Sequence, residues 1–425
     1  MSRKQVATAI VAVGLAALGA SVASSSPNKG AAAGGKLEVF SWWTSGSENA
    51  ALQQLFKATK QANPEIQIVN AAVAGGAGTN AKQVLATRLG GGDIPETWQT
   101  HPGGELADYV AQGVLEPLDS LYAVNGWRKT VPAALIKSMT YNGHIYAVLV
   151  NTHRANVVWY NKALFKRAGV TLGPSTTWAK LAGVATSLKG KGITPLCLGD
   201  KDIWTAGQLL EEMIVGQVGA SGWTGLLNGS VKWSSPQVAA VVGHFNTALG
   251  WTNSDHKSQD WAGAVGLLAS GKCAMNVMGD WAYGELKVKW KQVDGKDFGY
   301  TIIGNPSTFV TVGDAFVVGK GSKNPAAAQA WAKAIMSPQA QLAFNRLKGS
   351  APVRSDVNVS SYGPYQRGAA KVLAKGVKVP SLIHGQASVK ASVGQAYSDA
   401  VTLLEANHDA GKFGTAMDAA IAAGK

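Results

Sequence analysis

The sequence predicts an α/β protein of two domains, each built on a mostly parallel sheet flanked by helices. Three observations carry that reading. Short β-forming runs alternate with helix-period stretches from residue 36 onward. Gly, Pro and Asn breakers separate them. Of the 425 residues, about 400 follow an N-terminal targeting segment, enough for two sizeable cores.

The targeting segment has three parts. Met1-Ser-Arg-Lys-Gln5 is basic, Val6 to Val22 is uncharged and rich in Ala, Val and Leu, and Ser21-Val22-Ala23 is a small-x-small cleavage pattern. This predicts a secretory signal peptide over 1–23 and a flexible Ser/Gly/Ala spacer over 24–35. A membrane anchor would use the same apolar run, but the cleavage pattern and the spacer favour removal. No cysteine lies near the cut to carry a lipid. The mature chain is therefore expected in the periplasm without an anchor. No later segment approaches the roughly 20 apolar residues of a membrane span.

Leu37, Val39 and Phe40 form the first expected strand. It runs through Ser41-Trp42-Trp43-Thr44-Ser45-Gly46-Ser47-Glu48 into a helix over 49–61, with Leu52, Leu55, Phe56 and Thr59 on one face. Such a loop lies outside the carboxyl end of the sheet, where open α/β sheets place ligands. Trp42 and Trp43 offer flat apolar faces there, and Glu48 a charged acceptor. Ser45-x-x-Glu48 equally fits a capping box, which would make Glu48 a helix-start device. One of the two tryptophans is expected in the core, since strand neighbours point to opposite faces.

Asn63-Pro64 ends that helix. A strand over 66–70, a helix over 80–89 and a strand over 96–100 follow, the last delivering Gln99 and His101 to a loop closed by Pro102-Gly103-Gly104. This β-α-β-α-β order implies a parallel sheet, with the strand ends near Trp43 and His101 opening on one edge. A short helix over 105–112 and a turn at 141–144 into a strand over 145–150 come next. Further strands are expected at 157–160, 193–198, 272–278 and 315–318. Helices are expected at 161–168, 178–189, 206–216, 236–249, 261–269 and 325–335. The strand at 193–198 leads to Trp204, and that at 272–278 to Gly279-Asp280-Trp281. The C-terminal third reads as mainly helical, broken at Pro352 and Pro380.

Composition narrows the function. Charged residues are 15% of the chain, while Gly (51) and Trp (14) are abundant, which suits the handling of neutral polar solutes against apolar faces. The formal charge is +14, but the basic residues are dispersed, without the dense patch of a nucleic-acid binder. No nucleic-acid partner is expected. Gly266-Leu-Leu-Ala-Ser-Gly271-Lys272-Cys273 nearly matches a phosphate-binding P-loop. It has Cys where Ser or Thr belongs and runs from helix to strand, the reverse of the working context. No nucleophile elbow or zinc helix is present, and His101, His144, His153 and His384 stand alone in sequence. No cofactor or metal is implied. Glu48, Asp280 and Asp314 could supply paired carboxylates for glycoside hydrolysis if brought together, so a secreted carbohydrate-active enzyme is the alternative reading.

The strand-end loops carry what a sugar requires. A pyranose presents an apolar C–H face and a ring of hydroxyls that donate and accept. Its site needs aromatic planes and a few charged or amide groups. Trp42, Trp43, Gln99, His101, Trp204, Trp261, Asp280, Trp281 and Asp314 make such a set; each Trp taken singly reads rather as a core residue with a satisfied indole N–H, and it is their clustering at strand ends that favours a site. Cys197 and Cys273 lie on strands of the second domain in an oxidising compartment, where a disulfide forms if their Cα atoms come close enough.

The chain resembles bacterial extracellular solute-binding proteins of ABC sugar importers, nearest to the glucose/mannose-binding type. The likeness rests on Val39-Phe-Ser-Trp-Trp-Thr-Ser-Gly-Ser-Glu48, Gly92-Asp-Ile-Pro-Glu-Thr-Trp-Gln99 and Gly113-Val-Leu-Glu-Pro-Leu118. It continues through Tyr160-Asn-Lys162, Ala274-Met-Asn-Val-Met-Gly-Asp-Trp281 and Lys348-Gly-Ser-Ala-Pro-Val-Arg354. The resemblance implies the two-lobed periplasmic-binding-protein fold of type II, with a ligand cleft between lobes at 36–150 plus 312–348 and 151–311 plus 349–425. It implies Trp43, Glu48, Gln99 and His101 as ligands from the first lobe and Trp261, Trp281 and His384 from the second. Asp314 and Lys348 would sit near the crossings, with Trp204 and Asp280 in matching loops. The implied function is non-catalytic: a monomer captures a monosaccharide, glucose or its epimers mannose and galactose, and delivers it to a membrane permease.

Overall fold

The computed structural model describes residues 34–424. The expected signal peptide and all but the end of the spacer lie outside the described residues. Along the chain the strands are β1 (Gly35–Phe40), β2 (Ile66–Asn70), β3 (Thr97–Thr100), the hairpin β4 (Thr140–Tyr141) and β5 (His144–Ile145), β6 (Ala147–Leu149), β7 (His153–Arg154) and β8 (Val158–Asn161). They continue with β9 (Ser175–Thr176), β10 (Thr194–Leu196), β11 (Cys273–Val277), β12 (Phe298–Ile303), β13 (Thr308–Val312), β14 (Ala315–Val318) and β15 (Val377–Pro380).

Two sheets of five strands organise two hydrophobic cores. The first has the order β2-β1-β3-β14-β6, the second β10-β11-β8-β12-β9. Leu37 and Val39 of β1 point inward, and the helix Gly46–Ala62 covers them with Leu52, Leu55 and Phe56. That core also takes Phe316, Trp331 and Phe344 from far along the chain. The second core gathers Val158 and Trp159, the helix Trp204–Asn228, and the C-terminal residues Tyr365, Tyr397 and Phe413.

The sheets are mixed, not mostly parallel. β1 runs parallel to β2 and β3, but β14 is antiparallel to both β3 and β6. Likewise β8 opposes β11 and β12, while β10 with β11 and β12 with β9 are parallel pairs. The reversed strands, β8 and β14, are those the chain enters on arriving from the other core. A parallel neighbour needs a covering crossover between the two strands, and a strand entering directly has none.

A third sheet, β15-β13-β7, lies where the chain passes between the cores. β13 pairs antiparallel with β7, placing Val312 opposite His153. A third passage joins them through the bridge between Thr152 and Ala351. The segments near 151–157, 308–315 and 349–353 are therefore hydrogen-bonded to one another. β12, β13 and β15 fall outside the strands expected from the sequence. Phe298-Gly-Tyr-Thr-Ile-Ile303 and Thr308-Phe-Val-Thr-Val312 carry the β-branched and aromatic signal, whereas Val377-Lys-Val-Pro380 is too short to show one.

Cys197 and Cys273 are bonded, with Cα atoms 5.4 Å apart. Cys273 opens β11 and Cys197 follows β10, its parallel neighbour. No helix among the described residues is long and apolar enough to cross a membrane. The bond joins positions 76 residues apart, so its removal widens the unfolded ensemble. Cys197→Ala/Cys273→Ala is expected to lower unfolding free energy by about 2–4 kcal/mol. Urea titration checks this, and an unchanged midpoint contradicts it.

Candidate binding site

The two cores meet around a pocket floored by the crossing segments. Its aromatic walls are Trp42 from the first core and Trp204, Trp261 and Trp281 from the second. Each of the last three is the first residue of a helix: Trp204–Asn228, Trp261–Ala269 and Trp281–Val288. An indole on a helix start is held by a rigid element while facing the space beyond the strand ends. Asp260 fixes one of these starts by accepting from the Gly263 amide at 2.7 Å. The buried indole N–H of Trp204 has no hydrogen-bond partner among the described residues, leaving a donor for a ligand. Opposite it, Gly76 passes so close that a Cβ would lie 2.9 Å from that nitrogen and 3.1 Å from Trp261.

The polar side is a set of buried charges. Glu48 Oε1 accepts from Lys348 Nζ at 2.6 Å. The ammonium also lies 5.3 Å from the Trp43 ring centroid, a cation–π distance. Lys348 ends the helix Pro338–Lys348, and Gly349 follows with φ 95°. Any side chain there would strike the Asp280 carbonyl, 2.1 Å from the ideal Cβ. His101 is fixed by Glu105, whose Oε2 lies 2.8 Å from Nδ1 and 2.8 Å from Lys82 Nζ. Asp314 Oδ1 accepts from Gln99 at 2.9 Å, and Oδ2 accepts from Asn151 at 2.7 Å and lies 3.3 Å from His153 Nε2. The other nitrogen of His153 bonds Asp280 Oδ1. Asp280 Oδ2 accepts from the Arg154 amide at 3.1 Å and the Tyr365 hydroxyl at 3.2 Å.

These contacts set the protonation states. Burial alone would raise the Asp314 carboxyl, but His153 and the Lys348 charge outweigh it and hold the group well below the usual range. Burial and Lys348 oppose a charged His153, yet Asp280 and Asp314 prevail and raise its pKa. Burial raises Glu48 despite Lys348 beside it. His384 is pushed well below the ordinary histidine value by burial and by the charges of His101 and Lys82, so it faces the pocket neutral. The result is a site with apolar planes, anionic acceptors and cationic donors in near balance. It fits a neutral ring compound rich in hydroxyls.

The residues expected from the sequence divide accordingly. Trp42, Glu48, His101, Trp204, Trp261, Trp281, Asp314, Lys348 and His384 line the pocket. Trp43 does not: it is fully buried against Phe316 and Phe344, with ring centroids at 5.8 and 5.1 Å. Gln99 and Asp280 stand behind the lining, Gln99 bridging Asp314 and the Trp42 amide and Asp280 holding His153. Ser45 makes no side-chain cap, and Glu48 is taken by Lys348. The amide of Ser47 instead donates to Glu285 of the second core at 3.0 Å. His153, Ala77 and Val312 line the pocket without a signal in the sequence, since His153 sits alone on a two-residue strand. Among the described residues no group of three or more His, Cys, Asp or Glu could hold a metal ion.

Comparison with known proteins gives the same frame. Residues 43–342 match the bacterial extracellular solute-binding protein family, and the chain belongs to it. An uncharacterized ABC transporter extracellular-binding protein of Pyrococcus horikoshii is 35% identical, over 89% of this chain and 86% of its own. A probable sugar-binding periplasmic protein of Rhizobium meliloti is 32% identical, over 95% and 94%. A solved chitin oligosaccharide binding protein superposes with a TM-score of 0.78 at 20% identity, covering 92% of this chain and 99% of that one. The architecture is the two-lobed type II periplasmic-binding-protein fold.

The turn that carries His384 has its own titratable support. Glu211 Oε2 accepts from the amides of Leu382 at 2.8 Å and Ile383 at 3.0 Å. Burial pushes its carboxyl up to about 7 against the hydrogen bonds it receives. The folded chain thus keeps a proton that the unfolded chain, with an ordinary value of 4.5, has already lost. Stability conferred by that proton is present below 4.5 and lost as pH rises to about 7. Glu211→Gln is expected to flatten this part of the stability–pH curve, read by urea unfolding at a series of pH values. An identical slope in the variant contradicts it.

Proposed function

We propose that this chain is the periplasmic receptor of an ABC sugar importer. It binds one monosaccharide, glucose or its epimers mannose and galactose, and presents it as a monomer to the membrane permease. The lobes that close on the sugar are 36–150 with 312–348, and 151–311 with 349–425. The observation that carries the reading is the pocket itself: four indoles around a buried, charge-balanced polar floor. The Rhizobium relative's name supports a sugar, and the ABC transporter name of the Pyrococcus relative supports the importer.

Each group has a role in this reading. Trp planes cover the C–H faces of the ring. Glu48 and Asp314 accept hydroxyl protons, His101 accepts or shares one, and Lys348 and the Trp204 N–H donate. Asp314 already receives three of the roughly four hydrogen bonds a carboxylate accommodates. That suits a fixed acceptor and leaves it poorly placed as the nucleophile or base of a hydrolase.

Glucose, mannose and galactose are expected to raise the melting temperature by mass action, and a sugar panel without any shift contradicts the proposal. Covering one face of a pyranose with an indole buries roughly 60–80 Å², worth about 1.5–2 kcal/mol. Trp281→Ala is therefore expected to weaken binding about tenfold to thirtyfold by calorimetry. Asp314→Ala should cost more, because it also leaves buried donors unpaired. Trp43→Phe, behind the lining, should change affinity little. Equal losses at Trp43 and Trp281 would move the site.

A further inference from the structure

A second cavity lies on the far side of the crossing segments. Along β13 and its continuation, Val312 and Asp314 face the pocket already described. Thr311 and Gly313 face the opposite way, into another space that Thr152 also lines, as the two-residue alternation of a strand requires. Through Ala134, Leu135 and Lys378 this rear space runs into a groove of about 410 Å³. The groove lies between the helix Ala133–Lys137 of the first core and the helix Pro364–Lys375 of the second. It is far larger than the front pocket, and nothing in the proposed function uses it.

Its lining is of two kinds. Leu135, Val353, Val357 and Leu373 make an apolar floor, and five cations stand around them: Arg354, Arg367, Lys371, Lys375 and Lys378. No Asp or Glu lines the groove. Asp356 neutralises Arg354 at 2.6 Å, and Lys378 Nζ donates to the carbonyls of Leu373 at 2.9 Å and Gly376 at 3.0 Å. Lys371 and Lys375 have no ion-pair partner among the described residues. Arg367, Lys371 and Lys375 recur every four residues, on one face of a helix that contains no acid. Like charges at that spacing repel and disfavour the helix. An anion over this face would relieve the repulsion, and an apolar body attached to it would dry the floor.

We propose that this groove is a second small-molecule site, for an amphiphilic monoanion: one carboxylate or sulfonate head on an aliphatic or aromatic body. The head sits at Lys371 and Lys375, and the body lies over Leu373, Val357 and Leu135. The cations supply the choice of sign, and burial of the body supplies most of the affinity.

Decanoate titrated into the full mature protein by calorimetry, below its micelle-forming concentration, tests this. Decyltrimethylammonium, with the same chain and the opposite charge, is the comparator. Decanoate is expected to bind saturably with one-to-one stoichiometry, at least tenfold more tightly than the cation, and more weakly as salt is raised. Lys371→Glu/Lys375→Glu should weaken decanoate at least tenfold, and Leu373→Glu should abolish it, with melting temperature and circular dichroism confirming that both variants are folded. Equal affinity for the two amphiphiles, or decanoate binding unchanged in the charge-reversed variant, overturns the proposal. So does a dimer in sedimentation that Leu373→Glu dissolves, which would make the face a contact between copies of the chain.

Discussion

The pocket depends on one buried imidazole. His153 joins Asp280 of the second core to Asp314 beside the first, and all three are almost wholly removed from water. Two carboxylates in such a place are costly unless they are paired and hydrogen-bonded. Here Gln99, Asn151, the Arg154 amide and the Tyr365 hydroxyl add to the imidazole, giving each carboxylate three partners. The ladder between β7 and β13 sets His153 opposite Val312, two residues from Asp314. Shifting that register by one residue would turn His153 to the other face and strand both carboxylates. The crossings are thus load paths for charge as well as chain connections.

On that floor the lobes place complementary parts. The first brings Trp42, the Gly76 loop and the Glu48–Lys348 pair; the second brings three indoles on helix starts. They touch directly at Gly76 against Trp204 and Trp261, and at the Ser47 amide against Glu285. Both contacts hold only when the lobes are together. In the proposed function, a ligand gripped from both sides would stabilise the arrangement with the lobes together by its differential affinity for it.

Much of this was legible in the sequence, and the rest was hidden for physical reasons. Strand-end loops announced Trp204 and Trp281 because a strand, a breaker and a helix start follow one another there, while Trp261 showed as the first residue of a helix. The pair Trp42-Trp43 showed that one ring would be buried but not which. The answer rests on Phe316 and Phe344, nearly 300 residues away, and periodicity cannot see them. Ser45-x-x-Glu48 read equally as a capping box because the competing partner, Lys348, is equally remote. His153 gave no signal because its meaning lies in two carboxylates that only the fold brings near. Strand direction escaped for the same reason: β8 and β14 have ordinary β composition, and their reversal comes from the route the chain takes between cores.

If a sugar is bound as proposed, it closes the two lobes around this pocket. Small-angle X-ray scattering of the protein, without sugar and with saturating glucose, tests this, with calorimetry on the same samples to establish binding. An expanded profile is expected without sugar and, with it, a smaller radius of gyration and a profile matching the arrangement described above. Glucose bound by calorimetry with an unchanged scattering profile would contradict it.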